Sequence, residues 1–274
     1  MRIGTATTAD GRDVPVLERD GALLELDVPA GATVRDLIAA GDPPRPRPGA
    51  APLAGARLRA PLRPGKIVAI GLNYLDHVRE TGLERPAQPI VFAKLPSSVI
   101  GDGEAIRIDR ALTRQVDWEV ELGVVVGRRM TRVAAADALD HVFGYVAAND
   151  VSARDLQFAD GQWVRGKSLD TFCPLGPVVV TRDEIPDPQA LRLRTRVNGE
   201  TVQDATTAEM IFPVAELLAF CSRAFTLEPG DVLLTGTPWG CGAFMDPVRS
   251  LRGGDVVAVE VERIGVVANP VVEA

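Results

Sequence analysis

A chain of 274 residues, 46% hydrophobic and 24% charged, is long enough to bury a substantial core as one large domain, or as one large and one small domain. Its formal net charge of -7 lacks the basic footprint that phosphate backbones require, which argues against nucleic acid as a partner. No apolar run is long enough to span a bilayer and the N-terminus lacks a signal-peptide pattern, so no membrane association and a cytoplasmic location are expected.

Three widely spaced cysteines, Cys173, Cys221 and Cys241, contain no CxxC pair and are expected to be free and buried. The chain has two histidines, His77 and His141, too few for a His-rich zinc centre. Any metal would have to be held largely by carboxylates.

From Met1 to about Val28 the sequence reads as short strands broken by the turns Ala9-Asp10-Gly11-Arg12 and Arg19-Asp20-Gly21. A helix is predicted from Thr33, a suitable N-cap, to Gly41, a suitable stop. The proline-rich stretch Asp42 to Gly49 cannot hold regular structure. Residues 1–60 therefore read as a small N-terminal α+β domain without chemistry, followed by a main domain over 65–274.

Lys66 to Leu72 is predicted as a buried strand leading into Asn73-Tyr74-Leu75-Asp76-His77-Val78-Arg79-Glu80. His77 and Glu80 are three apart, so in a helical turn the carboxylate can orient the imidazole; the same spacing also suits an incidental surface pair. Pro89 to Pro96 is a second strand, carrying Lys94 as a residue able to meet an anionic substrate or simply to be solvated.

Val116-Asp117-Trp118-Glu119-Val120-Glu121-Leu122-Gly123 follows. As one strand it would turn Val116, Trp118, Val120 and Leu122 to one face and Asp117, Glu119 and Glu121 to the other. Three clustered carboxylates in an apolar run suit a hard divalent cation, or else a solvated edge. Asp150, closing the apolar run Gly144 to Asn149, offers a third oxygen ligand. A helical segment around Val133 to Val142 carries His141, which is assigned no catalytic part.

Downstream, Arg154 lies one helical turn from Asp150 and can clamp a carboxylate, while Lys167 can face a developing oxyanion. The last third alternates strands and turns, with a hairpin at Asn198-Gly199, an amphipathic helix over Ile211 to Phe225 and a strand from Val256 to Val261. The Gly-rich stretch Thr235 to Gly242 is expected to present backbone amides to a bound anion.

Taken in order, Gly-Leu-Asn-Tyr-x-x-His-x-x-Glu from Gly71, Asp-x-Glu-x-Glu-Leu-Gly from Asp117, Ala-Asn-Asp-Val-Ser-Ala-Arg-Asp with Gln157, Gly-Lys-Ser-x-Asp from Gly166 and Leu-Thr-Gly-Thr-Pro from Leu234 resemble the fumarylacetoacetate hydrolase family. The resemblance runs from Lys66 to the C-terminus, about three quarters of the chain. It implies an α+β, mainly β fold, with a mixed β-sandwich roll behind the small N-terminal domain, and a homodimer. It implies one Mg2+ or Mn2+ per chain on Glu119, Glu121 and Asp150, with Asn73 where some members place a fourth acidic ligand, and a His-x-x-Glu lid.

It further implies His77 with Glu80 as base, Lys167 and Gln157 as oxyanion donors, and Tyr74, Arg154 and Thr237, beside Lys94, as substrate contacts. The expected activity is metal-dependent C–C hydrolysis of acylpyruvate-type 2,4-dioxo acids. The alternative is decarboxylation or keto–enol isomerisation of oxaloacetate-like or 2-hydroxydienoate substrates, and the third reading is a non-catalytic binding protein. Either enzyme acts on a small-molecule 2-oxo acid. Specificity is expected in the lid after Tyr74 and in the loops Ala159 to Arg165 and Gly240 to Asp246.

Overall fold

The computed structural model describes residues 1–273. The chain opens on antiparallel strands β1 (Arg2–Thr7), β2 (Asp13–Arg19) and β3 (Ala22–Glu25). Helix α1 (Val34–Ala40) starts where predicted: Thr33 and Asp36 cap each other's backbone amides, and Gly41 closes the helix at φ 73°. The proline-rich stretch after it forms no helix or strand beyond an isolated Leu26–Pro46 bridge.

Next come β4 (Arg57–Leu58), β5 (Ile67–Gly71), α2 (Leu75–Thr81), β6 (Ile90–Lys94), β7 (Val99–Ile100) and β8 (Ile106–Ile108). The acidic stretch forms β9 (Val116–Asp117) and β10 (Val120–Val126), and is followed by α3 (Ala135–Ala138), β11 (Val142–Asn149) and β12 (Ser152–Ala153). Helices α4 (Arg154–Asp160) and α5 (Val164–Lys167) lead to β13 (Cys173–Thr181), β14 (Arg192–Val197) and β15 (Glu200–Thr206). The chain ends with α6 (Val214–Ala224), β16 (Val232–Leu234), β17 (Val256–Val261) and β18 (Gly265–Glu273). Helix α6 begins three residues later than predicted because Pro213 biases Phe212 away from helical dihedrals.

The fold is α+β and mainly β. A large sheet runs β3-β2-β1-β13-β11-β10-β16-β5-β6, with β4 and β7 attached at its sides; a five-stranded sheet runs β15-β14-β17-β18-β8. Both are mixed, since β5 lies parallel to β16 and β8 parallel to β18. Alternation decides the layers. Val120, Leu122, Val124 and Val126 of β10 face Leu193, Val259 and Val261 of the smaller sheet and Leu217 of α6, whereas Val125 faces Ile3, Leu17 and Leu37 of the first 60 residues. Strand β1 is hydrogen-bonded to β13, with Ile3 opposite Val179, so the opening strands extend the large sheet.

One expectation is corrected. Residues 116–126 do not form a single strand: Val116 and Asp117 pair with β12, while Val120 onward pairs with β11 and β16. Side chains take over the backbone bonding at the break, Asn149 Oδ1 accepting from Glu119 N and Gln203 Oε1 from Val120 N. Trp118 consequently packs with Val116 in a different core from Val120 and Leu122.

No helix among the described residues is long and apolar enough to cross a membrane. The parallel pair β5 and β16 is clipped at its start by buried Asp231, which accepts from Lys66 N at 3.1 Å and Glu228 N at 2.7 Å and pairs with the Lys66 ammonium. Asp231→Ala strands these amides and should cost about 2–4 kcal/mol of stability. Urea unfolding checks this, and a loss below about 0.5 kcal/mol, the level of a neutral surface change, would show that the clip is dispensable.

Candidate active site

The site begins at the break between β9 and β10. The register of β10 against β11 sets Val120 opposite Asn149, and Asp150 N donates to Glu119 O at 2.9 Å, which brings Asp150 beside the acidic strand. One oxygen each of Glu119, Glu121 and Asp150 lies within 4.8 Å of the others, and all three side chains are buried.

Buried carboxylates need compensation. Lys167 Nζ bridges Glu119 Oε2 at 2.7 Å and Asp150 Oδ2 at 2.9 Å. Lys94 Nζ lies 2.6 Å from Asp150 Oδ1, and Arg154 Nη2 lies 2.6 Å from Glu119 Oε1 and 2.8 Å from Asp117 Oδ2. Burial alone would raise the Glu119 carboxyl, but Lys167 and Arg154 outweigh it and hold it at about 2. Glu121 has no ion-pair partner among the described residues and accepts a hydrogen bond from Gly236 N at 2.7 Å. Burial, then Asp150 and Glu119, push it well above the usual carboxylate range.

His77 and Glu80 ride on α2, where His77 Nδ1 is 2.7 Å from Glu80 Oε2. The other Glu80 oxygen accepts from Gly240 N at 2.8 Å, tying this helix to the Gly-rich loop. That loop was expected to offer its amides to a bound anion; the anions it meets are the protein's own side chains. Gly236 N serves Glu121, Gly240 N serves Glu80, and Gly242 N and Ala243 N serve Asp117 at 2.7 and 3.1 Å. Gly236 sits at φ +95°, and a Cβ there would come 2.9 Å from Asn73 Cβ. Asn73 itself is used up as a brace, bonding Phe212 N, Phe212 O and Thr235 O.

Above the carboxylates is a small pocket whose wall includes His77, Glu119, Arg154, Gln157, Lys167 and Thr237. Gln157 Oε1 accepts from Arg154 Nη1 at 3.0 Å, which leaves its NH2 group to donate elsewhere. Thr237 Oγ1 accepts from Gln203 Nε2 at 2.9 Å. Tyr74 and Lys94, expected among the substrate contacts, lie instead behind this wall. Tyr74 is fully buried, with its ring packed in the main core. Lys94 is drawn inward by Asp150 and by the carbonyls of Val151 and Lys167.

Sequence reasoning missed the apolar half of the pocket. Phe92 and Trp163 meet edge to face at 5.3 Å, and Phe244 meets His77 edge to face at 5.6 Å. Trp163 and Phe244 do fall within the two loops expected to carry specificity, but Phe92 reads only as a strand residue. Gly71 makes room for the indole, since a Cβ there would be 2.4 Å from it. Asp117, which the sequence groups with Glu119 and Glu121, stands apart from the cluster that Glu119 and Glu121 form with Asp150. It is a buried hub that holds Arg154 Nε at 2.9 Å together with the two loop amides.

The family model for the fumarylacetoacetate (FAA) hydrolase C-terminal domain matches residues 66–272. The mitochondrial oxaloacetate tautomerase fahd2 of Xenopus laevis is 48% identical over 218 residues, covering 78% of this chain and 68% of that protein. Among solved structures, a fumarylacetoacetate hydrolase from Exiguobacterium antarcticum superposes with a TM-score of 0.92 at 38% identity, with both chains covered in full. The 5-carboxymethyl-2-hydroxymuconate delta-isomerase of Mycobacterium smegmatis gives 0.85 at 38% identity, again over the whole of both chains. With the match spanning the strands, the helix α2 and the loop that build the site, this chain belongs to the fumarylacetoacetate hydrolase family.

Proposed function

We propose that this protein is a metal-dependent keto–enol isomerase of small 2-oxo acids of the oxaloacetate or 2-hydroxydienoate type. The observation that carries this reading is a single oriented proton carrier, His77 with Glu80, on the wall of a half-polar, half-apolar pocket that Glu119 of the carboxylate cluster also lines. Isomerisation needs one group that moves a proton and a place to hold enolate charge, whereas hydrolysis also needs an attacking water. Phe244 against the imidazole and the Phe92–Trp163 pair on the same pocket give it an apolar side, which favours the reaction that needs no water. The relatives named for oxaloacetate tautomerase and muconate isomerase activity support the same choice. Isomerisation therefore takes precedence over C–C hydrolysis.

The donor set fits a hard divalent cation. Four buried carboxylates, Asp117, Glu119, Glu121 and Asp150, face three cations, Lys94, Arg154 and Lys167, a deficit of one positive charge. The carboxylate without a cationic partner, Glu121, belongs to the cluster of three. Glu119, Glu121 and Asp150 would hold the ion, whose chemistry is Lewis-acid stabilisation of enolate charge; oxygen ligands suit Mg2+ or Mn2+.

The chain's own groups supply the rest. Glu80 accepts from His77 Nδ1, so Nε2 is left to take the proton from C3 of the keto acid. The C3–H bond breaks and its electron pair forms the C2–C3 double bond, while the C2=O π pair moves onto oxygen, which then receives the proton that His77 took from C3. The free NH2 group of Gln157 and the ammonium of Lys167 donate to the oxygen that gains negative charge.

Enol–keto exchange of oxaloacetate, followed by ultraviolet absorbance with Mg2+ or Mn2+, should be accelerated without release of pyruvate or CO2. It should fall about 10²- to 10⁴-fold in His77→Ala. Cleavage of an acylpyruvate into two acids, with no effect on tautomer exchange, would restore the hydrolase reading; CO2 release would indicate a decarboxylase.

A second test concerns Glu121. Because its folded carboxyl is raised above the unfolded value, the metal-free folded protein holds the extra proton, and stability is lost as pH rises from the ordinary glutamate range toward the raised value. Metal-free Glu121→Gln should therefore melt higher than the parent at pH 8, by on the order of 3 °C, and lose that advantage near pH 4. Melting curves in chelator check this; an advantage independent of pH would show that the charge on Glu121 is not the cause.

A further inference from the structure

We propose that His77, Glu80 and Cys241 form a second cation site, one that takes a thiophilic divalent ion such as Zn2+ and, when filled, withdraws the proposed base from catalysis. One ring nitrogen, one carboxylate oxygen and the Cys241 sulfur lie within 4.8 Å of one another. Two elements bring them together. Helix α2 presents His77 and Glu80 one turn apart, and the Gly-rich loop supplies Cys241 from the residue next to Gly240, whose amide is bonded to Glu80 at 2.8 Å.

The donor chemistry separates this site from the carboxylate floor. Imidazole and thiolate suit zinc, while an all-oxygen set suits Mg2+ or Mn2+. Ligand bonds of about 2.0–2.3 Å place donors on a tetrahedral zinc roughly 3.3–3.8 Å apart. The three groups therefore need to draw in by no more than about 1.0–1.5 Å, while the 2.7 Å His77–Glu80 hydrogen bond opens. No strong bond holds the sulfur elsewhere, since its polar neighbours, Pro238 O and Gln203 Nε2, are both 3.9 Å away. His77 borders the pocket, so solvent can complete the coordination.

Filling this site replaces the hydrogen bond that orients the imidazole, so turnover stops although the carboxylate floor stays loaded. Only this effect on turnover rests on the proposed isomerase reading. Occupancy itself is read independently: Co2+ added to the protein should give a near-ultraviolet sulfur-to-cobalt charge-transfer band at one equivalent of thiolate, because oxygen ligands give no such band. The band should vanish in Cys241→Ser and in Cys241→Ala, whichever of the two folds better.

In excess Mg2+, Zn2+ should inhibit tautomer exchange, and Cys241→Ser should raise the inhibitory concentration at least tenfold. No charge-transfer band in the parent protein overturns the proposal. So does a band that persists without Cys241, which would assign the sulfur to Cys173 or Cys221. Should the band follow Cys241 while no 2-oxo acid is turned over, the cation site stands and the isomerase reading falls.

Discussion

The structure depends on holding four carboxylates in a space that water barely reaches. In such a place an uncompensated charge costs several kcal/mol, so every neighbouring element is shaped by the need to offset it. Lys94 is pulled in from β6, and Arg154 and Lys167 from the neighbouring helices α4 and α5, sixty or more residues further along the chain. Backbone amides of the Gly-rich loop serve Glu121 and Glu80, which have no lysine or arginine partner among the described residues, and add to Arg154 at Asp117. The loop is thus a template for the protein's own acids, and its glycines let the main chain come close enough to serve.

The same arrangement couples helix α2 to the carboxylate cluster. Asp117 joins Arg154 to the loop, and the loop joins Glu80 and therefore His77. Phe244, three residues beyond Cys241, touches both ends of this chain of contacts, edge-on to the imidazole and 5.7 Å from the Arg154 guanidinium. The His77 imidazole, on a seven-residue helix, gains its position from these ties rather than from the helix itself, which is too short to hold a geometry alone.

Much of this was legible in the sequence. The Thr33 cap and the Asn198-Gly199 hairpin follow from local chemistry, and the meeting of Glu119 and Glu121 with Asp150 from the family resemblance. Alternation says which face a side chain occupies but not what it meets there. Lys94 therefore read as a substrate contact or a solvated lysine, because its partner Asp150 sits more than fifty residues away, and Asp117 read only as one acid among three, because Arg154 and Gly242 are 37 and 125 residues away. The break at Trp118 was hidden for the same reason: it is made by Asn149 and Gln203, which a pattern in residues 116–126 cannot contain.

The seam between β1 and β13 has an implication for how the chain can be cut. Strand β13 is bonded to β11 on one side, and on the other β1 covers Val179 and Val180. A fragment lacking the first 60 residues would bare those backbone donors and acceptors, together with the apolar surface that Ile3, Leu17 and Leu37 now shield. Such an uncapped edge is a template for strand addition between molecules. The opening strands thus act as a guard against self-association, whatever else they do.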